Sequence, residues 1–294
     1  MKIALKNVSI ILVLVLALCL CAFSFVACNK KTDDNAPVAV NYRANNNFEI
    51  SVENYTINPE AASNEQLYAR VFKPLNAIPK YGLVFFVGTF INPNNYDYLG
   101  EALAKQGYVV IIPNSILAYW QYDTKSLPIT TSTQQLFPDI QFFVGGHSQG
   151  GGAALRFACE NLANTCGAVF FAPLMQYNTR SVSDDDERSY DNYAGRIERD
   201  ESGRIITVSD TLVDTNLHTL LLEADNDSVL DDSMKADSHD KMPQNVQNHV
   251  LQNASHMGFS KPPQGVAELT EAEAAQIENT INYTLNFMQM VVCG

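Results

Sequence analysis

Gly145-Gly146-His147-Ser148-Gln149-Gly150-Gly151 is the stretch of this chain whose residue types and spacing most directly imply chemistry. An apolar run at 141–144 precedes it, and a segment with helical periodicity at 151–162 follows it. Gly-x-Ser-x-Gly between a strand and a helix is a nucleophile elbow. The turn is too tight for large flanking side chains, and it lifts the serine hydroxyl above the sheet edge, near the start of the helix. At average glycine and serine frequencies the bare pattern arises by chance in roughly one chain in ten of this length. A plain glycine-rich turn is therefore the competing reading, and the flanking strand and helix favour the elbow.

A serine hydroxyl is a poor nucleophile until a base takes its proton. Five histidines compete for that role. His147 lies inside the elbow and is expected to point under the sheet as a structural residue. His218 precedes every candidate acid. His239 lies in the acidic stretch 237–240 and is expected to be exposed, and His249 stands at the start of a strand, remote from the active edge. His256 follows the strand-like run 250–253, within Ala254-Ser255-His256-Met257-Gly258, where a loop would lift it toward Ser148. It is the expected base.

An acid must orient that imidazole and stabilise its cation, and with an elbow of this kind the chain order is Ser, acid, His. The apolar run 219–223 ends in Ala224-Asp225-Asn226-Asp227-Ser228, so Asp225 and Asp227 are both candidates. Asp225 could instead cap the helix that follows. Asp227 lies further past the strand end, where the loop comes nearest the His256 loop, and is favoured. Acyl transfer also needs donors for a developing oxyanion. One is the backbone N–H of Gln149, the residue after the nucleophile. The other comes from Val87-Gly88-Thr89-Phe90, with the Thr89 N–H first and Phe90 second. Both are backbone roles, so side-chain identity is expected to carry little information there. No metal or organic cofactor is called for, and no CxxC pair or metal-ligand spacing appears.

These residues need a scaffold, and the pattern around them describes one. Runs at 83–87, 109–112, 141–144, 168–172, 219–223 and 250–253 read as strands, the earlier ones apolar enough to be buried on both faces. Runs at 48–57 and 67–72 read as two early antiparallel strands. Helical periodicity covers 98–106, ending at Gly107 as a C-cap, then 151–162, and finally 270–290, where Thr270 and Glu273 form a capping-box pattern. Alternating strands and helices imply an α/β fold with a mostly parallel sheet covered on both faces. The stretch 177–216 breaks the rhythm and reads as an insertion, with a β-hairpin around Ser202-Gly203. Its Asp184-Asp185-Asp186-Glu187 cluster reads as a solvated loop ahead of a cation site.

The first 27 residues read as a sorting device. Lys2 and Lys6 precede an apolar run, 8–27, closing in Phe25-Val26-Ala27-Cys28. A cationic start, an apolar core and a small residue make a secretory signal. The close resembles a bacterial lipobox, in which the cysteine becomes lipid-modified, although Phe25 stands where an aliphatic residue is usual. An uncleaved membrane helix and ordinary cleavage are the alternatives. All three place the body outside the cytoplasm. The polar stretch 28–47 then reads as a flexible tether, with the folded domain at 48–294. Cys159, Cys166 and Cys293 remain in the body; a Cys159–Cys166 disulfide and buried free thiols both fit an oxidising compartment.

Composition sets outer bounds. The 294 residues are 46% hydrophobic, enough for one sizeable core. A formal net charge of -13 argues against nucleic acid, which requires a basic face.

With elbow, acid loop and late histidine in this order, the chain resembles the serine α/β-hydrolases, and more narrowly the dienelactone-hydrolase-like branch called α/β-hydrolase fold-5. The resemblance rests on Gly82-Leu83-Val84-Phe85-Phe86-Val87-Gly88 with Pro93 and 99–108, on 145–152, and on 253–259 with Gln264-Gly265 and the final helix. It spans about 81–290. It implies an eight-stranded α/β-hydrolase sheet, Ser148 as nucleophile, Asp227 as acid, His256 as base, and Thr89 and Gln149 as oxyanion donors. Serine replaces the cysteine nucleophile of dienelactone hydrolases proper. Thr89 stands at the usual second glycine of the oxyanion loop, and the acid loop lacks its usual glycine. The expected activity is hydrolysis of a small carboxylic ester by a lipid-anchored, exported enzyme, with Tyr119 and Trp120 either lining an acyl pocket or packing as core aromatics. A surface-binding lipoprotein without turnover, a peptidase and an acyltransferase are the alternatives.

Overall fold

Alternation along the strands decides which side of the sheet each residue covers. In the strand Tyr81–Phe86, Leu83 and Phe85 point to one face while Val84 and Phe86 point to the other. Val110 and Ile112 likewise separate from Val109 and Ile111 in the strand Val109–Pro113. Side chains with period two that are apolar on both faces require helices on both faces, and the computed structural model has that arrangement. It describes residues 37–56, 68–114, 133, 135–183, 190–261 and 268–294.

In chain order the described strands are β1 (Val38–Ala39), β2 (Ile50–Thr56), β3 (Tyr68–Pro74), β4 (Ala77–Ile78), β5 (Tyr81–Phe86), β6 (Val109–Pro113), β7 (Gln141–His147), β8 (Thr165–Phe171), β9 (Thr179–Ser181), β10 (Arg196–Arg199), β11 (Ile205–Ser209), β12 (Thr219–Ala224) and β13 (Gln247–Leu251). The described helices are α1 (Asp97–Lys105), α2 (Gln149–Glu160), α3 (Asp232–His239) and α4 (Glu271–Cys293). The central sheet has eight strands in the order β13-β12-β8-β7-β5-β6-β3-β2. Pairing is parallel from β13 through β6, and antiparallel for β6 with β3 and β3 with β2. One core, built on Leu83, Phe85, Val110 and Ile112, packs Leu99 and Leu103 of α1 and Phe287 and Met288 of α4. The opposite core receives Ala154, Leu155, Phe157 and Ala158 of α2.

The helix ends follow the sequence signals. Gly107 takes φ 99° just after α1, the left-handed position that glycine occupies without strain. Thr270 and Glu273 form the reciprocal capping box of α4. In the segment 177–216, β10 and β11 form the expected hairpin, and β9 adds a third strand that the sequence did not announce. Asp210, fully buried, fastens this segment to α2. Its carboxylate accepts from Arg156 Nε at 3.1 Å, Asn178 Nδ2 at 3.0 Å, Arg180 Nη1 at 2.9 Å and the Tyr193 hydroxyl.

One expectation needs correction. The stretch 28–47 is not a tether throughout, because the chain is docked from Val38 onward. Val38–Ala39 pairs with Ala77–Ile78, and Val40 packs on the core. The buried Tyr42 hydroxyl donates to Gly107 O at 3.1 Å and accepts from Lys80 N at 2.9 Å. Val40 and Tyr42, two positions apart and packed on the core, outweigh the asparagines around them. Of the two readings of Cys159 and Cys166, free thiols hold: neither is bridged, and Cys293 is free as well. Burial raises the Cys166 thiol pKa to about 11 and that of Cys159 well above its usual value, so neither is a ready thiolate. The sorting segment with Cys28, the residues Tyr119 and Trp120, the acidic cluster 184–187 and Gln264-Gly265 lie outside the described residues.

Candidate active site

Parallel strands deliver their following loops to one edge of the sheet, where ligands of open α/β folds bind. The Gly88 loop follows β5, Ser148 follows β7, Asp227 follows β12, and His256 follows β13. Each candidate therefore arrives at the same edge, carried by a buried strand.

Ser148 sits between β7 and α2 with φ 54° and ψ -126°. A non-glycine residue held there stores of order 1–3 kcal/mol of strain and needs its surroundings to fix it. They do so at three points. Ser148 N–H donates to Phe171 O at 3.1 Å, and Ser148 O accepts from Gly151 N and Leu174 N, each at 2.9 Å. The flanking glycines are obligatory: a Cβ on Gly146 would lie 2.1 Å from Gly150 O, and one on Gly150 would lie 2.3 Å from Phe86 O. Although Ser148 is the N-cap of α2, its hydroxyl is not used as a cap. Among the described residues it makes no hydrogen bond, to His256 or to any other group. Contacts of this kind are often loose before substrate binds.

The structure brings Asp227 and His256 together. His256 Nδ1 lies 2.8 Å from Asp227 Oδ2, and the two side chains are only 3% and 1% exposed. The other carboxylate oxygen accepts from Val229 N and Leu230 N, both at 2.8 Å. A carboxylate can only accept, so Nδ1 carries a proton, and in the neutral ring Nε2 keeps the lone pair that a general base requires. Asp225 has a different task. It neither touches His256 nor caps a helix, since Asp231 caps α3. Its carboxylate accepts from Asn253 N and Ala254 N, both at 2.9 Å, and so ties down the loop that leads to His256. Those N–H groups, that of Asn253 foremost, hold its pKa below the usual carboxylate value.

The remaining histidines are placed elsewhere. His239 is exposed, as expected, and its Nε2 lies 3.1 Å from Glu223 Oε2. His249 stacks on Tyr283, with ring centroids 4.3 Å apart. His147 is fully buried, with Nδ1 at 2.8 Å from the Tyr96 hydroxyl and Nε2 at 3.0 Å from His256 O.

Beyond β5 the chain turns sharply: Ile91 N–H donates to Gly88 O at 3.1 Å, and Phe90 takes φ 61°. Gly88 N–H is spent on the Tyr96 oxygen at 3.1 Å. Thr89 N–H makes no hydrogen bond among the described residues, and Gln149 N–H opens the first turn of α2, where an N–H has no acceptor within the helix. The side chains of these two residues meet, since the Thr89 hydroxyl donates to Gln149 Oε1. Sequence reasoning assigned them backbone roles alone and missed this clasp. A cavity of about 530 Å³ lined by Thr133, Phe137, Phe142 and Phe157 lies at the opposite, amino ends of the strands and takes no part in this site.

The order of the strands and the placing of the site loops define an α/β-hydrolase fold. Residues 82–186, which run from β5 past the elbow, match the model of the alpha/beta hydrolase family. A predicted CIB-like hydrolase from Thermoplasma acidophilum superposes with TM-score 0.54 at 12% identity, covering 82% of this chain and 99% of the other. Est1E from Butyrivibrio proteoclasticus gives 0.52 at 12% identity, covering 81% and 98%. An alpha-beta serine hydrolase homologue from Coxiella burnetii gives 0.50 at 13% identity, covering 81% and 97%. Likeness at these identities establishes the fold. No curated protein matches the chain.

Proposed function

We propose that this protein is a serine esterase that hydrolyses a small carboxylic ester outside the cytoplasm, anchored to a bacterial membrane by lipid on Cys28. The observation that carries the catalytic reading is the buried 2.8 Å bond between Asp227 and His256, held at the same sheet edge as a strained serine whose hydroxyl is not used as a cap.

Ser148 Oγ attacks the acyl carbon while His256 Nε2 takes its proton, and Asp227 stabilises the imidazolium. The carbonyl oxygen becomes an oxyanion received by the N–H groups of Thr89 and Gln149. Collapse breaks the C–O bond, and His256 returns its proton to the departing alcohol. Water then repeats the sequence on the acyl-enzyme and releases the acid. Every proton and electron pair is accounted for by the chain and water.

p-Nitrophenyl esters from acetate to dodecanoate test this reading. Turnover of some member of the series, lost in Ser148→Ala, is expected, with no cleavage of peptide p-nitroanilides. Peptide cleavage without ester cleavage would contradict it. Metabolic labelling with a fatty-acid analogue should mark the wild type and not Cys28→Ala.

A further inference from the structure

Ser148, His256 and the oxyanion loop reside on three different strand ends, yet one buried side chain touches all three segments. We propose that His147, acting with Tyr96, is a positioning residue: a one-way hydrogen-bond chain through it fixes the oxyanion loop and the His256 loop relative to the elbow. The catalytic consequence rests on the serine-hydrolase reading above.

The direction of the chain follows from donor and acceptor chemistry. A carbonyl oxygen only accepts, so the 3.0 Å contact between His147 Nε2 and His256 O places a proton on Nε2. Burial, and then the neighbouring His256, hold the His147 pKa well below its usual value, so the ring is neutral. Its Nδ1 therefore carries a lone pair, and the Tyr96 hydroxyl donates to it across 2.8 Å. The Tyr96 oxygen in turn accepts Gly88 N–H at 3.1 Å. One proton arrangement satisfies every member: Gly88 N–H to Tyr96, Tyr96 O–H to His147, His147 N–H to the His256 carbonyl.

The chain runs through an apolar box, which strengthens it. Phe85 packs on Tyr96 with ring centroids 5.2 Å apart, and Phe259 lies 5.7 Å from the His147 ring. The titratable groups facing His147 are Tyr96 and His256, whose ring lies 4.8 Å away and is itself backed by Asp227. A second consequence concerns the oxyanion. Since Gly88 N–H is committed to Tyr96, the next free donor along the loop is Thr89 N–H, and the chain thereby selects which amide faces the reacting carbonyl. During acylation the oxyanion and the imidazolium form together, and an error of about 1 Å in their separation costs about 100-fold in rate.

Three variants test the role. His147→Gln keeps an N–H near the Nε2 position, His147→Met keeps the volume without a donor, and Tyr96→Phe removes a single hydroxyl. Rates are expressed per active site, titrated with a fluorophosphonate, on a p-nitrophenyl ester. For His147→Met, kcat is expected to fall about 30- to 100-fold with KM changed less than about threefold. His147→Gln should recover most of that loss, and Tyr96→Phe should fall between. A merely structural residue would lower the melting temperature and the number of titratable sites but leave kcat per site unchanged. That result, or a Gln variant no better than Met, overturns the proposal. If His147→Met does not fold, Tyr96→Phe carries the comparison, and an unchanged kcat per site in it overturns the proposal. Proton NMR supplies a readout that needs no catalysis. The low-field His256 Nδ1–H resonance shared with Asp227 should be sharp in the wild type and in His147→Gln, and broadened in His147→Met and Tyr96→Phe. An unchanged resonance in the latter two overturns the positioning role even if the protein proves unreactive toward the fluorophosphonate, an outcome that would separately remove the serine-hydrolase reading.

Discussion

Replacing Asp227 by asparagine changes one donor–acceptor relation and almost nothing else. The native carboxylate accepts from Val229 N and Leu230 N through one oxygen and from His256 Nδ1 through the other. In Asp227→Asn the amide oxygen can keep both backbone N–H bonds, which places the amide NH2 against His256. Two donors then face each other, and the imidazole relieves the conflict by moving its proton to Nε2. That tautomer has no lone pair for the Ser148 proton. Where geometry is intact but the tautomer is wrong, the loss is about 10⁴-fold in kcat, equal to about 5.4 kcal/mol of transition-state stabilisation. The cost to stability is far smaller, about 1–2 kcal/mol, because a charge-assisted bond is replaced rather than left open. Asp225→Asn is the matched control. That residue holds only the 253–254 turn, and kcat should change by about tenfold or less. The assay is kcat on the best ester of the series for wild type and both variants, with thermal melts alongside. A large loss in Asp225→Asn together with near-normal turnover in Asp227→Asn would refute the argument and exchange the two carboxylates.

Other outcomes follow from the same structure. A Cβ at Gly146 would meet Gly150 O at 2.1 Å, so Gly146→Ala should cost about 1–3 kcal/mol, read as a lower melting temperature, and should prevent labelling of Ser148. Asp210→Ala removes the buried carboxylate shared by Arg156 and Arg180 and should cost about 3–5 kcal/mol, with new proteolytic cleavage in the 190–209 segment as the visible sign. His147 titrates in the unfolded chain near pH 6.5 but is held neutral in the fold, so below that pH the unfolded state binds the extra proton. Its contribution to stability is therefore present above about pH 6.5 and lost as pH falls, by about 1.4 kcal/mol per unit. Denaturant midpoints at pH 7 and pH 5.5 should separate more in wild type than in His147→Gln.

Features that depend on neighbours in sequence were legible before any coordinates. The apolar run that became β5, the strand–turn–helix setting of Ser148, the Thr270–Glu273 capping box and the hairpin at Ser202-Gly203 all come from local periodicity and turn chemistry. Chain order and spacing past the strand ends were enough to favour Asp227 over Asp225 as the group facing His256. Other features depend on contacts between distant positions, and no local signal encodes them. The Thr89–Gln149 clasp joins residues 60 positions apart, and the Tyr96–His147 bond joins residues 51 apart. The docking of the stretch 38–42 was hidden by the surrounding asparagines, although the apolar pair Val40 and Tyr42 was there to be read. Asp210 carried no signal beyond being an acid beside a strand. Only burial makes it the anchor of the 177–216 segment.

The nucleophile is the assignment on which the rest depends. Exposure of the intact protein to a fluorophosphonate, followed by peptide mass mapping, tests it directly. One covalent adduct is expected, on Ser148, with none in Ser148→Ala and slow formation in Asp227→Asn. An adduct on another residue, or labelling that persists undiminished in Ser148→Ala, would contradict it.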